Sequence, residues 1–164
     1  KNSIRDYLRK IGKEETWTEL QGYVYGACME LAVPFPGVKE FFNLCKTNSI
    51  SIYIISHRTK YPFIGEKYDL HDAAYRWLQL KGFTGKTGLI TDDSVFLELT
   101  ADDKLKRIID LECDVFIDDL PEFLTKDGFP AKTKKILFDP GFMYNGINFL
   151  KFASWKEICE HFFG

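Results

Sequence analysis

The chain has 164 residues, 45% of them hydrophobic, and its 15 Phe, 8 Tyr and 3 Trp supply enough apolar surface for one packed domain, which excludes global disorder. With 22 basic residues against 24 acidic ones and a net charge of −2, the composition excludes a strongly basic nucleic-acid footprint. No apolar run approaches the ~18 residues that a membrane span requires, so neither nucleic acid nor a membrane is expected as a partner.

Residues 2–11 read as a short helix. Across 15–32, the apolar side chains Trp17, Leu20, Tyr23, Val24, Ala27, Cys28 and Leu31 recur mostly at helical spacings. Gly22 and Gly26 each weaken such a helix by about 1 kcal/mol relative to Ala, unless they serve close packing. The segment Pro34-Phe35-Pro36-Gly37 breaks the chain. A helix over 38–46 follows, with Val38, Phe41, Phe42 and Cys45 on one face. The β-branched and aromatic run 50–55 reads as a buried strand, stopped by the polar Ser56-His57-Arg58-Thr59-Lys60. A helix is predicted over 69–81, ended by Gly82, and a short strand over 95–97.

Thr100 and Asp103 have the spacing of a capping box, which opens a helix through Leu111. A second buried strand is predicted over 114–117, ending at Asp118-Asp119. Pro121 begins a short helix, 135–138 forms a third strand, and Ser154 caps a final helix. Strands that alternate with helices and carry apolar runs predict a parallel sheet covered on both faces. Ligands of such sheets sit beyond the carboxyl ends of the strands, so Ser56 and Asp118 are expected to face one crevice.

Cys28, Cys45, Cys113 and Cys159 form no CxxC motif. Together with an opening stretch that lacks an apolar signal region, they predict buried, reduced thiols in the cytoplasm.

Three features carry chemistry. Ser56 ends a strand and is followed by His57 and Arg58; a hydroxyl can donate to an anionic oxygen there and a guanidinium can clamp it. Taken alone, the segment is also what an ordinary polar turn looks like. Lys104 lies in the first turn of a helix, where the dipole disfavours a cation by roughly 0.3–1 kcal/mol. A bound anion or a carboxylate would compensate, although pairing with Asp103 or Glu98 is the simpler reading. Asp118 and Asp119 are adjacent carboxylates that repel unless a cation holds them, and hard oxygen donors suit Mg²⁺. Asp119 as a cap for the helix at Pro121 is the structural alternative.

These residues resemble the haloacid dehalogenase-like hydrolases. Pro36 to Phe42 followed by a buried strand ending in Ser56 looks like their second motif, Lys104 near a helix start like the third, and Val115-Phe116-Ile117-Asp118-Asp119 like the fourth. The resemblance spans about residues 33–139. It implies a Rossmann-like three-layer sandwich, with 34–164 as the core of a single domain and 1–33 as a small helical cap. It further implies a Mg²⁺-dependent phosphatase that forms an aspartyl-phosphate on a small phosphorylated substrate, a sugar phosphate or a nucleotide. By carry-over Ser56 binds a phosphoryl oxygen, and Lys104 (or the nearby Lys106) neutralises nucleophile and phosphate. Asp118 and Asp119 hold Mg²⁺, while His57, Arg58 and Lys60 contact substrate.

The family's first motif, an Asp-x-Asp after an apolar strand, does not precede Ser56. That strand lies at the centre of the family's sheet, and its loss would leave its neighbours roughly 10 Å apart with unpaired backbone groups. The expectation is therefore that Lys1 is not the natural start and that the nucleophile lies on a preceding strand. A non-catalytic module of the same fold, binding phosphate or a partner, is the alternative. A flavodoxin-like or receiver domain fits less well, because the Asp pair follows a later strand.

Overall fold

A computed structural model describes residues 2–146 and 148–164. The helices preceding the first strand are α1 (Asn2–Lys10), α2 (Glu14–Tyr25) and α3 (Val38–Thr47), with a 3₁₀ turn at Met29–Leu31. Next come β1 (Ile54–His57), α4 (Leu70–Leu80), β2 (Val95–Glu98) and α5 (Ala101–Asp110). The chain closes with β3 (Val115–Asp118), α6 (Pro121–Leu124), β4 (Lys134–Phe138), β5 (Leu150–Phe152) and α7 (Trp155–Phe163). The fold is mixed α/β, with every strand pair parallel.

The chain divides into two compact units. One runs up to Val33 and includes Arg58–Gly88; the other comprises Pro34–His57 and Leu89–Gly164. The first unit is helical, and residues 58–88 share it with the N-terminal helices. Within it, the expected helix over 15–32 stops at Tyr25, because Gly26 leaves helical geometry with φ −98° and ψ −86°. Here the absence of side chains serves packing: a Cβ on Gly22 would stand 2.8 Å from Pro62, and one on Gly26 would collide with the Tyr68 side chain. Helix α4 ends as expected, with Gly82 in the left-handed region (φ 74°) and Phe83 N–H donating to the Leu78 carbonyl.

Among the described residues, the second unit holds all five strands, in two sheets. β1 pairs with β2, placing Ile54 opposite Val95 and His57 opposite Glu98. The other sheet has the order β3-β4-β5, with Asp118 opposite Leu137. Ile55 of β1, Leu105 and Ile108 of α5, Phe116 of β3, Phe123 and Leu124 of α6 and Leu137 of β4 form one buried cluster. Side chains therefore join the two sheets, whereas among the described residues no ladder does.

The strand expected over 50–55 is displaced toward its carboxyl end, and Ile50 and Tyr53 are exposed. The end of α3 explains the shift. Ser49 is left-handed (φ 57°) and Ile50 N–H donates to the Cys45 carbonyl at 2.9 Å, so helix termination claims Ile50. The short strand β2 then provides a ladder for Ile54–His57 alone. Strand β5 was not expected; it is a three-residue edge. All four cysteines are free thiols, but only Cys45 and Cys159 are buried, and Cys28 and Cys113 are half-buried.

The two isoleucines at the end of α5 give a direct test of this core. Ile108 is wholly buried and Ile109 is 45% exposed. Ile108→Ala is expected to cost about 2–5 kcal/mol and Ile109→Ala less than about 1 kcal/mol, measured by urea denaturation.

Candidate active site

The site begins with the start of α5. Thr100 Oγ1 accepts from Asp103 N–H at 3.0 Å and donates to the Asp103 carboxylate at 2.7 Å, which fixes the first turn. The spacing of the helix then puts Lys104 on the same inward side as Leu105 and Ile108, all three buried. Neither simple partner of Lys104 is available to it: Asp103 is held by Thr100, and Glu98 pairs with Arg107 at 2.8 Å. The Lys104 ammonium instead lies 2.5 Å from Asp118 Oδ2, with 6% and 7% of the two side chains exposed. It also sits 3.9 Å from the centre of the Phe123 ring and 5.3 Å from that of Phe116, where the ring faces attract a cation. Lys106 is exposed, so Lys104 is the lysine that reaches the acid.

Asp118 is the last residue of β3. Its Oδ1 accepts from Leu120 N–H at 2.9 Å, which turns the chain toward α6. Asp119 is exposed, and the N-cap position of α6 is taken by Leu120.

Ser56 and His57 close β1. Ser56 is half-buried, and its hydroxyl bonds to no described side chain or backbone group. The His57 ring stacks on Phe123 at 6.2 Å and an interplanar angle of 26°. Burial, aided by the charge of Lys104 and opposed by that of Asp118, pushes the His57 pKa below 6.5. The imidazole is therefore neutral at pH 7.

Lys104 and His57 thus meet over Phe123, with Asp118 paired to Lys104, at the carboxyl ends of β1 and β3. Ser56 precedes His57 in β1, and strand alternation turns it to the face opposite that of Ile55 and His57. Arg58 and Lys60 belong to the first unit. There Arg58 donates to the Leu70 carbonyl at 3.4 Å and its guanidinium carbon lies 5.5 Å from the centre of the Tyr25 ring. Lys60 faces Asp69 at 3.7 Å, and Asp69 caps α4 by accepting from His71 and Asp72 N–H.

Two residues of the second unit escaped the sequence reading. Phe123 is the apolar platform for both the Lys104 ammonium and the His57 ring, and its position just past the Asp pair and Pro121 was the available signal. Asp139 is a buried carboxylate at the end of β4 that accepts from Met143 N–H at 2.8 Å and Tyr144 N–H at 3.1 Å. It directly follows β4, whereas Asp118 is itself the last residue of β3.

Among the described residues no group of three or more His, Cys, Asp or Glu gathers to hold a metal ion. Asp118 and Asp119 provide two adjacent hard oxygen donors. A cation that keeps most of its water and binds through one or two carboxylates fits that set. No protein-family model, curated protein or solved structure matches the chain. No helix among the described residues is long and apolar enough to cross a membrane.

Removing one partner from a buried ion pair strands the other charge. Lys104→Met is expected to destabilise the fold by about 3–5 kcal/mol and Lys106→Ala by less than about 0.5 kcal/mol, read by chemical denaturation. His57 is expected to titrate below 6.5 by NMR, at a higher pH in Lys104→Met than in the wild type and at a lower pH in Asp118→Asn. Because the folded state resists protonation of His57, its contribution to stability is present above 6.5 and is lost as pH falls toward the depressed folded value.

Proposed function

We propose that the second unit is the phosphate-handling core of a haloacid dehalogenase-like, Mg²⁺-dependent phosphomonoester hydrolase with a Rossmann-like three-layer arrangement. The observation that carries the reading is the buried Lys104–Asp118 pair beside the ends of two parallel strands, each laddered on one side only. Among the described residues β1 pairs with β2 alone and β3 with β4 alone. One strand inserted between two others spaces them roughly 10 Å apart, and it would satisfy backbone groups that are otherwise costly to leave unpaired. In this reading that strand comes from outside residues 1–164 and carries the nucleophilic aspartate, since no Asp-x-Asp follows an apolar run before Ser56.

The residues present divide the remaining work. The free Ser56 hydroxyl donates to a phosphoryl oxygen. The Lys104 ammonium, shielded from water over Phe123, stabilises charge that builds on the phosphoryl group. Neutral His57 can donate to the same anion without adding charge. Asp118 and Asp119 would hold Mg²⁺, which when bound offsets the repulsion between an anionic nucleophile and the phosphate. The substrate class is a sugar phosphate or a nucleotide. The four free thiols support a reducing, cytoplasmic setting.

The test is hydrolysis of p-nitrophenyl phosphate by the full-length gene product. Turnover is expected to require Mg²⁺ and to be abolished by EDTA. Asp118→Asn and Ser56→Ala are each expected to lower kcat by roughly 10²–10³-fold while the circular dichroism spectrum is retained. Phosphate binding without any turnover would overturn the enzymatic reading in favour of a non-catalytic binding module.

A further inference from the structure

The loop after β4 is built in an unusual way. Asp139 is buried, and its carboxylate holds the Met143 and Tyr144 N–H groups. Lys151 stands 3.7 Å from that carboxylate and donates to the Tyr144 carbonyl at 2.7 Å. Tyr144 and Phe149 pack against the central apolar cluster. The product of this anchoring is an apolar tip in water: Phe142 is 70% exposed and Met143 60%. Phe142 is also held at φ 50°, a conformation rare for bulky side chains. Strain of that kind persists only where the surroundings enforce it, and it concentrates at ligand-binding positions.

The location fits that pattern. Leu137 lies opposite Asp118, so Asp139 stands two residues, about 7 Å, further along at the carboxyl side of the neighbouring strand. The loop therefore borders the end of the sheet at which Lys104 and Asp118 meet, the side where ligands of parallel sheets bind.

We propose that Phe142 and Met143 form the specificity element for the organic part of the substrate and select phosphate monoesters whose organic part carries an aromatic ring, as a nucleotide does and a sugar phosphate does not. This rests on the phosphatase reading for its chemistry, but not for its test. An aromatic ring on a rigid loop offers a flat apolar face at small entropic cost, and Met adapts beside it. Buried Asp139, with the half-buried Lys151 beside it, keeps that face in place before a ligand arrives.

The experiment is calorimetric titration of the full-length gene product with phenylphosphonate and methylphosphonate, neither of which can be hydrolysed. The wild type is expected to prefer the phenyl ligand by roughly tenfold, the scale of one good aromatic contact. Phe142→Asn keeps a residue type that tolerates the left-handed backbone while removing the ring. It is expected to abolish the preference and leave methylphosphonate binding unchanged, and Met143→Ser to reduce the preference in part. Equal affinity of the wild type for both ligands, retention of the preference in Phe142→Asn, or parallel loss of both ligands would overturn the proposal. Absence of hydrolysis with the preference intact would sink the phosphatase reading and leave this one standing.

Discussion

The ion pair between Lys104 and Asp118 organises the second unit. Withdrawing two opposite charges from water costs several kcal/mol per ion, and only good geometry with further hydrogen bonding returns it. Here the ammonium rests over the ring of Phe123 and near that of Phe116, and the second carboxylate oxygen is met by Leu120 N–H. The pair ties the first turn of α5 to the last residue of β3. Because Leu105 and Ile108 of α5 pack with Ile55 of β1, the same tie sets the carboxyl end of β1 beside that of β3. An apolar pair of similar volume would stabilise such a site as well or better, so stability alone does not account for charge at this point.

A second constraint concerns the strands. Parallel sheets normally lie inside their domains with both faces covered, and interior strands find partners on both edges. In this chain β1 and β3 contribute to one apolar cluster yet sit in separate sheets. Among the described residues the core is thus continuous in its side chains and interrupted in its backbone ladder. That combination is what joins the phosphatase reading to the fold, because the interruption falls where the charged groups meet. The anchored loop at Asp139 borders the same end of the sheet, so a phosphate-binding centre and an apolar rim would be neighbours.

Much of this was legible in the residues. Thr100 and Asp103 announced the start of α5, and the start of α5 made Lys104 an anomalous cation in need of an anion. Asp118 followed an apolar run, which placed it at a strand end. What the sequence did not reveal depended on pairing over distance. Ile50 belongs to an apolar run, but the left-handed Ser49 commits it to ending α3. The helical spacing beyond Tyr25 is real, yet Gly26 gives way to the Tyr68 side chain, more than forty residues later. Strand β5 is three residues long, too short to show alternation. Arg58 and Lys60 follow the β1 strand end directly in the chain, but their partners Leu70, Tyr25 and Asp69 lie in the other unit, which no local pattern could disclose.

The most direct measurement of the central claim is a double-mutant cycle on the pair that links α5 to β3, with Lys104→Met, Asp118→Asn and the combined variant compared by urea denaturation. Charges buried together and dependent on one another should show a coupling of at least about 2 kcal/mol, within the range seen for residues in direct contact. A coupling below about 0.5 kcal/mol, the level at which independent sites simply add, would contradict the account, since each side chain would then be stabilised by something other than its partner.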